Sequence, residues 1–354
     1  MAKTELKLCL GAPSRVDGRS GHLWFPTLHP LGGEGVLCIA AVTSDRPQGV
    51  WPAAAYWSRD SGSSWQKVPE VIHYALASIL IKPGDLLLLP YELAPASCVD
   101  HCSATAQGTR LILKDSGTVT ATPQQVQFDN FPRDIAIHSH GGLRMVTGGN
   151  VLGLADGSLF TTLYGRFIGE ERYSLLGMVS HDNGYHWSFR AQLADGWDLP
   201  NSPEGPSESA TITGTDGRLL CLYRVGSGAG RSYYRSESTD DGYHWSSPRP
   251  VLCVGSVKPQ LISLENGTLL LTGGRPGLTL WISHDDGLVW RSFDLVAHHN
   301  ATMSDPTQYF KEPSAKPSIT TSYSALCPLG PKTALVCYDR LGNGWGGGSW
   351  SPWN

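Results

Sequence analysis

The segment Ser180-His181-Asp182-Asn183-Gly184-Tyr185-His186-Trp187 is one of four copies of the pattern S-x-D-x-G-x-x-W in this chain. The other copies begin at Ser58, Ser238 and Ser283. We expect the Asp to accept hydrogen bonds from nearby backbone and the Gly to adopt a positive φ. The Trp ring would be buried against the turn. Four copies in one chain predict a repeat architecture.

Strand-like apolar runs recur in pairs around six further turn signals, which are spaced 50 to 72 residues apart. Long helical periodicity is absent. The sequence therefore predicts an all-β fold, a six-bladed β-propeller of four-stranded antiparallel blades that forms a single domain over residues 1–354. A β-sandwich with repeated hairpins is the alternative, but it does not account for the repeated turn. Residues 93–130 are polar and irregular, which predicts a long loop.

Composition narrows the classes of partner. The net charge of −4 and the lack of like-charge runs give no field that would attract nucleic acid or a membrane surface. No apolar stretch reaches the roughly 18 residues of a membrane-spanning helix. The first residues do not resemble a signal peptide, which makes a cytoplasmic location the default expectation. The spacing of Cys98, His101 and Cys102 matches no known zinc pattern, so neither a metal nor another cofactor is predicted.

Hairpin geometry brings several polar residues to one level. Residues equally far before and after a turn lie side by side at the open end of a hairpin. Glu208 and Arg224 each lie eight residues from one turn, Tyr323 and Asp339 each lie eight from another, and Arg275 lies nine from a third. If the open ends meet around an axis, these five side chains share one pocket. Otherwise they are separate, solvated strand ends.

The segments around these residues resemble the sialidase superfamily, whose S-x-D-x-G-x-x-W turns are called Asp boxes. The resemblance extends from about residue 22 to residue 345. Residues 207–224 are similar to the family segment that carries a catalytic Glu and a substrate-binding Arg, which fall on Glu208 and Arg224. Residues 321–326 are similar to the segment with a nucleophilic Tyr, which falls on Tyr323.

The resemblance implies a retaining exo-α-sialidase that acts on carbohydrate. Tyr323 would attack the anomeric carbon with Glu208 as its base. Arg224 and Arg275 would bind the sugar carboxylate through paired, charge-assisted hydrogen bonds, with Asp339 also at the substrate site. A neutral phenol suits this role because a carboxylate nucleophile would be repelled by the substrate's own carboxylate.

The chain departs from the family at its first blade. Trp24 stands where the family has the leading Arg of its carboxylate clamp, and offers instead an apolar face for stacking on a sugar. Asp45 is the nearest candidate for the general acid, although a turn Asp before an Arg-Pro pair has an equally good structural explanation. Arg15, Arg19 or Arg46 could replace the missing Arg. Acid–base chemistry could also come from one of four histidines: His22, His29, His138 and His140.

Two other functions stay open at this point. A propeller without an intact clamp could bind acidic glycans and not cleave them. A lyase or a different hydrolase for acidic polysaccharides could also use the two Arg residues, because uronic acids carry carboxylates too.

Overall fold

The computed structural model describes residues 8–17, 23–43, 51–69, 72–95, 102–136, 145–199, 201–226, 231–255, 257–275, 277–311 and 319–341. This part of the chain is all-β, with a single short α-helix and two turns of 3₁₀-helix. None of its helices has the length and apolar character needed to cross a membrane.

The first sheet is antiparallel and contains β1 (Trp24–Gly32), β2 (Gly35–Ala41), β3 (Pro52–Ser58), β4 (Gln66–Lys67) and β5 (Ile72–His73). The strands β1 to β4 pair in chain order, and β5 pairs with β3. The register of β1 on β2 shifts between Trp24 and Thr27. Such a bulge re-aims the side chains on either side of it.

The second sheet has ten strands: β6 (Ser78–Lys82), β7 (Asp85–Leu88), β8 (Glu92–Pro95), β9 (Ala104–Leu113), β10 (Val119–Asp129), β11 (Met145–Thr147), β12 (Leu152–Gly153), β13 (Leu159–Gly165), β14 (Ser174–Ser180) and β15 (His186–Asp195). The expected long loop over residues 93–130 is wrong, because β9 and β10 form a long antiparallel hairpin there. The strand β10 also pairs with β15 in parallel, and buries Phe128 against Trp187 at 6.3 Å between ring centroids.

Three smaller antiparallel sheets complete the described chain. One contains β16 (Pro206–Thr213), β17 (Leu219–Val225), β18 (Tyr234–Ser238) and β19 (Arg249–Pro250). The next contains β20 (Gln260–Ser263), β21 (Leu269–Gly274), β22 (Leu278–Ser283) and β23 (Arg291–Asp294), and helix α1 (Leu295–Thr302) follows it. The last contains β24 (Ser324–Gly330) and β25 (Thr333–Tyr338). The 3₁₀ turns are Gly196–Asp198 and Pro306–Gln308.

The four repeated turns share one hydrogen-bonding pattern. In the copy that begins at Ser180, the Ser180 hydroxyl donates to Asp182 at 2.9 Å and accepts from the Gly184 N–H at 2.9 Å. The Asp182 carboxylate accepts the N–H of His186 at 2.9 Å, and Gly184 has a φ of 86°. Trp187 is fully buried, whereas the Trp residues of the other copies are half-buried. The expected roles of Asp and Gly are therefore confirmed, and that of Trp is fully met only at Trp187.

The sheets meet through their first strands, and this positions the site. The strand β1 contacts β6 and β24, β20 contacts β24 and β16, and β16 contacts β13. The strand β21 also contacts β24. How many units the chain forms, and whether they close a ring, stays a prediction.

Candidate active site

Tyr323, Glu208 and Arg224 form one hydrogen-bonded group. The Tyr323 hydroxyl donates to Oε1 of Glu208 through a short contact. Arg224 Nη1 donates to the other carboxylate oxygen, Oε2, at 2.8 Å and lies 3.5 Å from Tyr323 Oη. The carboxylate of Glu208 is thus held between a phenol and a guanidinium. The structure brings together three residues that the hairpin spacing assigned to one pocket.

Local backbone irregularities aim these side chains. Glu208 lies in β16 where the register on β17 shifts between Pro206 and Ser209, and a bulge at this point turns a side chain out of the regular alternation. Tyr323 directly precedes β24 and follows Ser322, which has a φ of 65°. A positive φ at a residue other than Gly carries strain, which is typical of functional sites.

The charges of the group stabilise one another. Burial would raise the pKa of the Glu208 carboxyl, but the Arg224 charge and the Tyr323 hydrogen bond, with a smaller effect from Lys258, hold that pKa below its usual value. Burial and the Glu208 charge raise the pKa of Tyr323 well above its ordinary value. Burial would lower the pKa of Arg224, but Glu208 raises it. Glu208 is therefore ionised, while Tyr323 keeps its proton until a base removes it.

Arg275 lies over the ring of Tyr323. Its guanidinium carbon is 5.6 Å from the centroid of the Tyr323 ring, and Nη2 donates to the carbonyl oxygen of Thr321 at 3.0 Å. Its backbone has a φ of 87°, which is strained for a residue with a side chain. Arg224 therefore contacts the hydroxyl of Tyr323, and Arg275 lies over the ring of the same residue.

Asp339 is buried behind Tyr323. Its Oδ1 accepts the Thr320 hydroxyl at 2.6 Å and the Thr321 N–H at 2.8 Å, and Oδ2 accepts the Thr321 hydroxyl and, at 3.3 Å, the Phe25 N–H. Burial raises the pKa of Asp339, and these hydrogen bonds partly offset the effect. The carboxylate oxygens face the segment before Tyr323, so in this structure Asp339 supports that segment.

Trp24 is a core residue in the structure. Only 5% of its surface is exposed, and it packs edge-on to Phe25 with 5.9 Å between the centroids. The bulge after Trp24 presents Phe25 to the site, with its ring 4.8 Å from that of Tyr323. The burial of Trp24 leaves no free ring face for the expected stacking on a sugar.

Of the remaining candidates for the clamp and for acid–base chemistry, the structure describes only Arg15 and His29. Asp45, Arg19, Arg46, His22, His138 and His140 lie outside the described residues, as do Cys98 and His101. Arg15 is exposed, and its charge acts on Asp305. His29 is buried and bonds to the hydroxyls of Thr27 at 2.9 Å and Ser78 at 3.0 Å.

Burial, and to a lesser degree the charge of Lys258, lower the pKa of His29 to about 3. The imidazole is therefore neutral, which suits a structural role better than proton transfer.

The sequence reasoning missed Lys258 and an aromatic cavity. The Lys258 N–H donates to Glu208 Oε2 at 3.1 Å, and its side chain is buried. A cavity of about 170 Å³ is lined by the aromatic residues Trp51, Tyr74 and Tyr91 and by Glu92, among others. Trp51 Nε1 donates to Glu92 at 2.9 Å.

Phe25 links this cavity to the site, since its ring contacts both Trp51, at 6.5 Å, and Tyr323. Trp51 does not lie at the open end of one of the six counted hairpins, so the spacing rule did not find it.

No group of three or more His, Cys, Asp and Glu side chains in the described ranges is arranged to hold a metal ion. Cys102, whose spacing from Cys98 and His101 matched no zinc pattern, donates to Asp134 at 3.3 Å.

A family model described as a BNR repeat-like domain matches residues 70–328. The chain belongs to the BNR repeat-like domain family. This membership, together with its structural neighbours, confirms the resemblance to sialidases that the turns and site segments indicated. No curated protein matches the chain.

Solved structures resemble this BNR repeat-like protein over most of its length. A protein of unknown function from Dyadobacter fermentans has a TM-score of 0.63 at 15% identity, covering 91% of this chain and 92% of that one. Trypanosoma rangeli sialidase in complex with sialic acid has a TM-score of 0.57 at 19% identity, covering 92% and 53%. The NanB sialidase from Streptococcus pneumoniae has a TM-score of 0.56 at 13% identity, covering 93% and 67%.

The BNR repeat-like chain spans about half the length of the trypanosomal sialidase. At these identities the likeness concerns the fold.

Proposed function

We propose that this protein is a retaining exo-glycosidase that removes a terminal acidic sugar, most simply an exo-α-sialidase. The observation that carries the proposal is the hydrogen bond from the Tyr323 hydroxyl to Glu208, with Arg224 at that hydroxyl and Arg275 over the ring of the phenol. This arrangement supplies a nucleophile, its base and two anion-binding groups.

The charge of the pocket supports an acidic substrate. Glu208 is the one ionised carboxylate in the hydrogen-bonded group, while Arg224, Arg275 and the buried Lys258 carry positive charge nearby. A sugar carboxylate would find two guanidinium groups here, and these groups bind carboxylates with good geometry.

In the proposed reaction, Tyr323 Oη attacks the anomeric carbon and passes its proton to Glu208 Oε1. The bond from the anomeric carbon to the leaving-group oxygen breaks, and that oxygen takes a proton from a general acid. Water then gives a proton to the group that had acted as general acid and displaces Tyr323, whose oxygen takes its proton back from Glu208. Two inversions at the anomeric carbon retain its configuration. Asp45 stays our proposed general acid. The scheme calls for no metal or cofactor.

The proposal also gives supporting roles to Asp339 and Trp24 and includes the arrangement of the sheets. Asp339 would act by holding the segment that carries Tyr323, since its oxygens are occupied by Thr320, Thr321 and Phe25. Trp24 would act through Phe25 and not on the sugar. The contacts among β1, β6, β13, β16, β20 and β24 support an arrangement of six propeller blades around this pocket.

The test is release of fluorophore from the 4-methylumbelliferyl α-ketoside of N-acetylneuraminic acid. We expect turnover by the wild type and none by Tyr323→Phe. Turnover that survives this change would remove Tyr323 from its role. If an unsaturated product that absorbs in the ultraviolet forms from a uronic-acid polysaccharide instead, the protein is a lyase.

A non-catalytic glycan-binding function is the second candidate, and the burial of Trp24 in place of the clamp Arg favours it. Losing a bidentate Arg weakens carboxylate binding by ~2–5 kcal/mol. This candidate predicts calorimetric binding of sialosides that depends on Arg224 and Arg275, with no turnover of any acidic sugar.

A further inference from the structure

Lys258 is an unusual residue for the interior of a protein. Only 1% of its surface is exposed, and its ammonium nitrogen has no hydrogen-bond partner within the part of the chain that the structure describes. A buried, unpaired ammonium destabilises a fold because the lost hydration is not replaced. A residue that costs stability in this way suggests a role in the site.

The main chain of Lys258 touches the proposed catalytic group directly. Its N–H donates to Oε2 of Glu208 at 3.1 Å, the same oxygen that accepts Arg224 Nη1 at 2.8 Å. The other oxygen, Oε1, is left to the Tyr323 hydroxyl. Lys258 and Arg224 together therefore fix which oxygen faces the phenol.

The ammonium acts on two buried groups from neighbouring strands. Its charge stabilises the carboxylate of Glu208 on β16 and disfavours protonation of His29 on β1. Burial lowers the pKa of Lys258 to about 8, although Glu208 works to raise it. Lys258 is thus positively charged at neutral pH.

We propose that Lys258 is a positioning residue: its N–H orients the Glu208 carboxylate, and its buried ammonium, unpaired within the described residues, adds a positive charge to that of Arg224 when an anionic sugar enters. The inference rests on the proposed function. An arriving substrate carboxylate disfavours a second negative charge beside it. Lys258 offsets that repulsion from inside the protein, where it is not screened by solvent or occupied by the substrate.

The first measurement is independent of turnover. In protein labelled with ¹³C at the lysine side chains, the Lys258 signal is assigned by its loss in Lys258→Met. We expect it to titrate near pH 8 in the wild type and at lower pH in Glu208→Gln, since the carboxylate favours the charged amine. A Lys258 signal with an ordinary lysine pKa, or one that Glu208→Gln does not move, would overturn the proposal.

The second measurement separates positioning from structure. Lys258→Met removes the charge and keeps the chain length, Lys258→Arg keeps the charge, and Lys332→Met removes an exposed lysine as a control. For Lys258→Met we expect a Tm no lower than wild type and a kcat/KM at least about tenfold lower, or about 1.4 kcal/mol of transition-state binding. The acidic limb of its pH profile should move to higher pH, and Lys258→Arg should restore it in part.

The outcomes are distinguishable. If the wild type turns over no acidic sugar, the proposed function fails, and the NMR titration still decides whether Lys258 is coupled to Glu208. If the wild type is active and Lys258→Met keeps both its rate and its acidic limb, the positioning role is wrong. A Tm for Lys258→Met well below those of wild type and Lys332→Met would make Lys258 a structural residue.

Discussion

The hydroxyl of Tyr323 donates a hydrogen bond to Oε1 of Glu208, a residue 115 positions earlier in the chain. The two lie at the ends of hairpins in different sheets, and Arg224 Nη1 contacts both. A phenol and its base are thus brought together by strand ends alone. This relationship connects the fold to the proposed chemistry, and the predictions below test its parts.

Tyr323→Phe should abolish turnover and leave the fold intact. The change removes one oxygen atom, and the loss of a nucleophile costs ~10³-fold or more in kcat. Steady-state hydrolysis of a fluorogenic sialoside measures it. Tyr223→Phe is the matched control. Tyr223 lies in the same hairpin as Glu208, and the change removes its buried hydroxyl, which is hydrogen-bonded to Ser236 at 3.0 Å. Equal losses in both variants would point to folding and not to chemistry.

The protein should keep its activity in unusually acidic solution, because the Glu208 carboxyl should stay ionised there. Burial would raise its pKa, but Arg224, Tyr323 and Lys258 lower it below the ordinary 4.5. Glu208 should also stabilise the fold fully above its unfolded-state pKa, with that contribution lost as pH falls through its lower folded-state pKa. The pH dependence of kcat/KM and of urea unfolding, in wild type and Glu208→Gln, measures both effects. If the acidic limb of the kcat/KM profile lies at or above the ordinary Glu pKa, this explanation is wrong.

Arg275→Met should weaken binding of acidic sugars by ~2–5 kcal/mol, mostly as a higher KM. Arg275→Lys should recover little, since an ammonium lacks the planar pair of donors. Arg190→Met serves as the control, because Arg190 stacks on the ring of Tyr243 at 4.3 Å in a repeated turn. Calorimetric titration with sialic acid reports the affinity directly. An unchanged affinity in Arg275→Met would exclude Arg275 from the anion site.

Asp339→Asn should destabilise the protein by about 1–3 kcal/mol. Both Asp339 oxygens accept hydrogen bonds, and the amide nitrogen that replaces one of them cannot accept any. The change should also lower kcat by loosening the segment before Tyr323. Burial raises the folded-state pKa of Asp339 above the ordinary 3.8, so this group's contribution to stability falls as pH rises between those two values. Denaturant unfolding across that window should show this pH dependence in wild type only. A fully stable, fully active Asp339→Asn would argue against the supporting role.

Gly184→Ala tests the repeated turn. Gly184 has a φ of 86°, and an added Cβ would lie 2.6 Å from the Ile79 Cδ1 atom. We expect a loss of roughly 2–4 kcal/mol, from positive φ plus crowding of the core. Gly157→Ala isolates the first effect, since its φ is 83° and no atom lies within 4 Å of the added Cβ. Thermal unfolding should show the larger loss in Gly184→Ala, and the reverse order would contradict the packing argument.

Much of the site followed from local rules in the sequence. Turn residues mark where hairpins close, so counting outward from them placed Glu208, Arg224 and Tyr323 at comparable ends. The repeated turn gave the all-β fold class for the same reason, because its Asp and Gly act through bonds within a few residues.

The remaining features depend on packing between distant segments. Lys258 lies just before β20 and touches Glu208 through its main chain, which no residue pattern records. Because of the bulge after Trp24, Phe25 and not Trp24 faces the site. Phe25 has a positive φ of 54° although it is not a Gly, so the sequence gives no sign of this backbone geometry. The sequence of β10 resembles a polar loop because most of its side chains are not buried. Val126 and Phe128 are buried, and β10 pairs there with β15, which lies far along the chain.

The most direct test of the central claim is to trap the covalent intermediate. In a 2,3-difluorosialic acid, electron withdrawal by fluorine slows both steps, but fluoride is a good leaving group, so the intermediate forms and then accumulates. Incubation of this protein, followed by intact-mass measurement and peptide mapping, should show one added difluorosialyl group on Tyr323, absent from Tyr323→Phe. No adduct, or an adduct on another residue, would contradict the assignment of Tyr323 as the nucleophile.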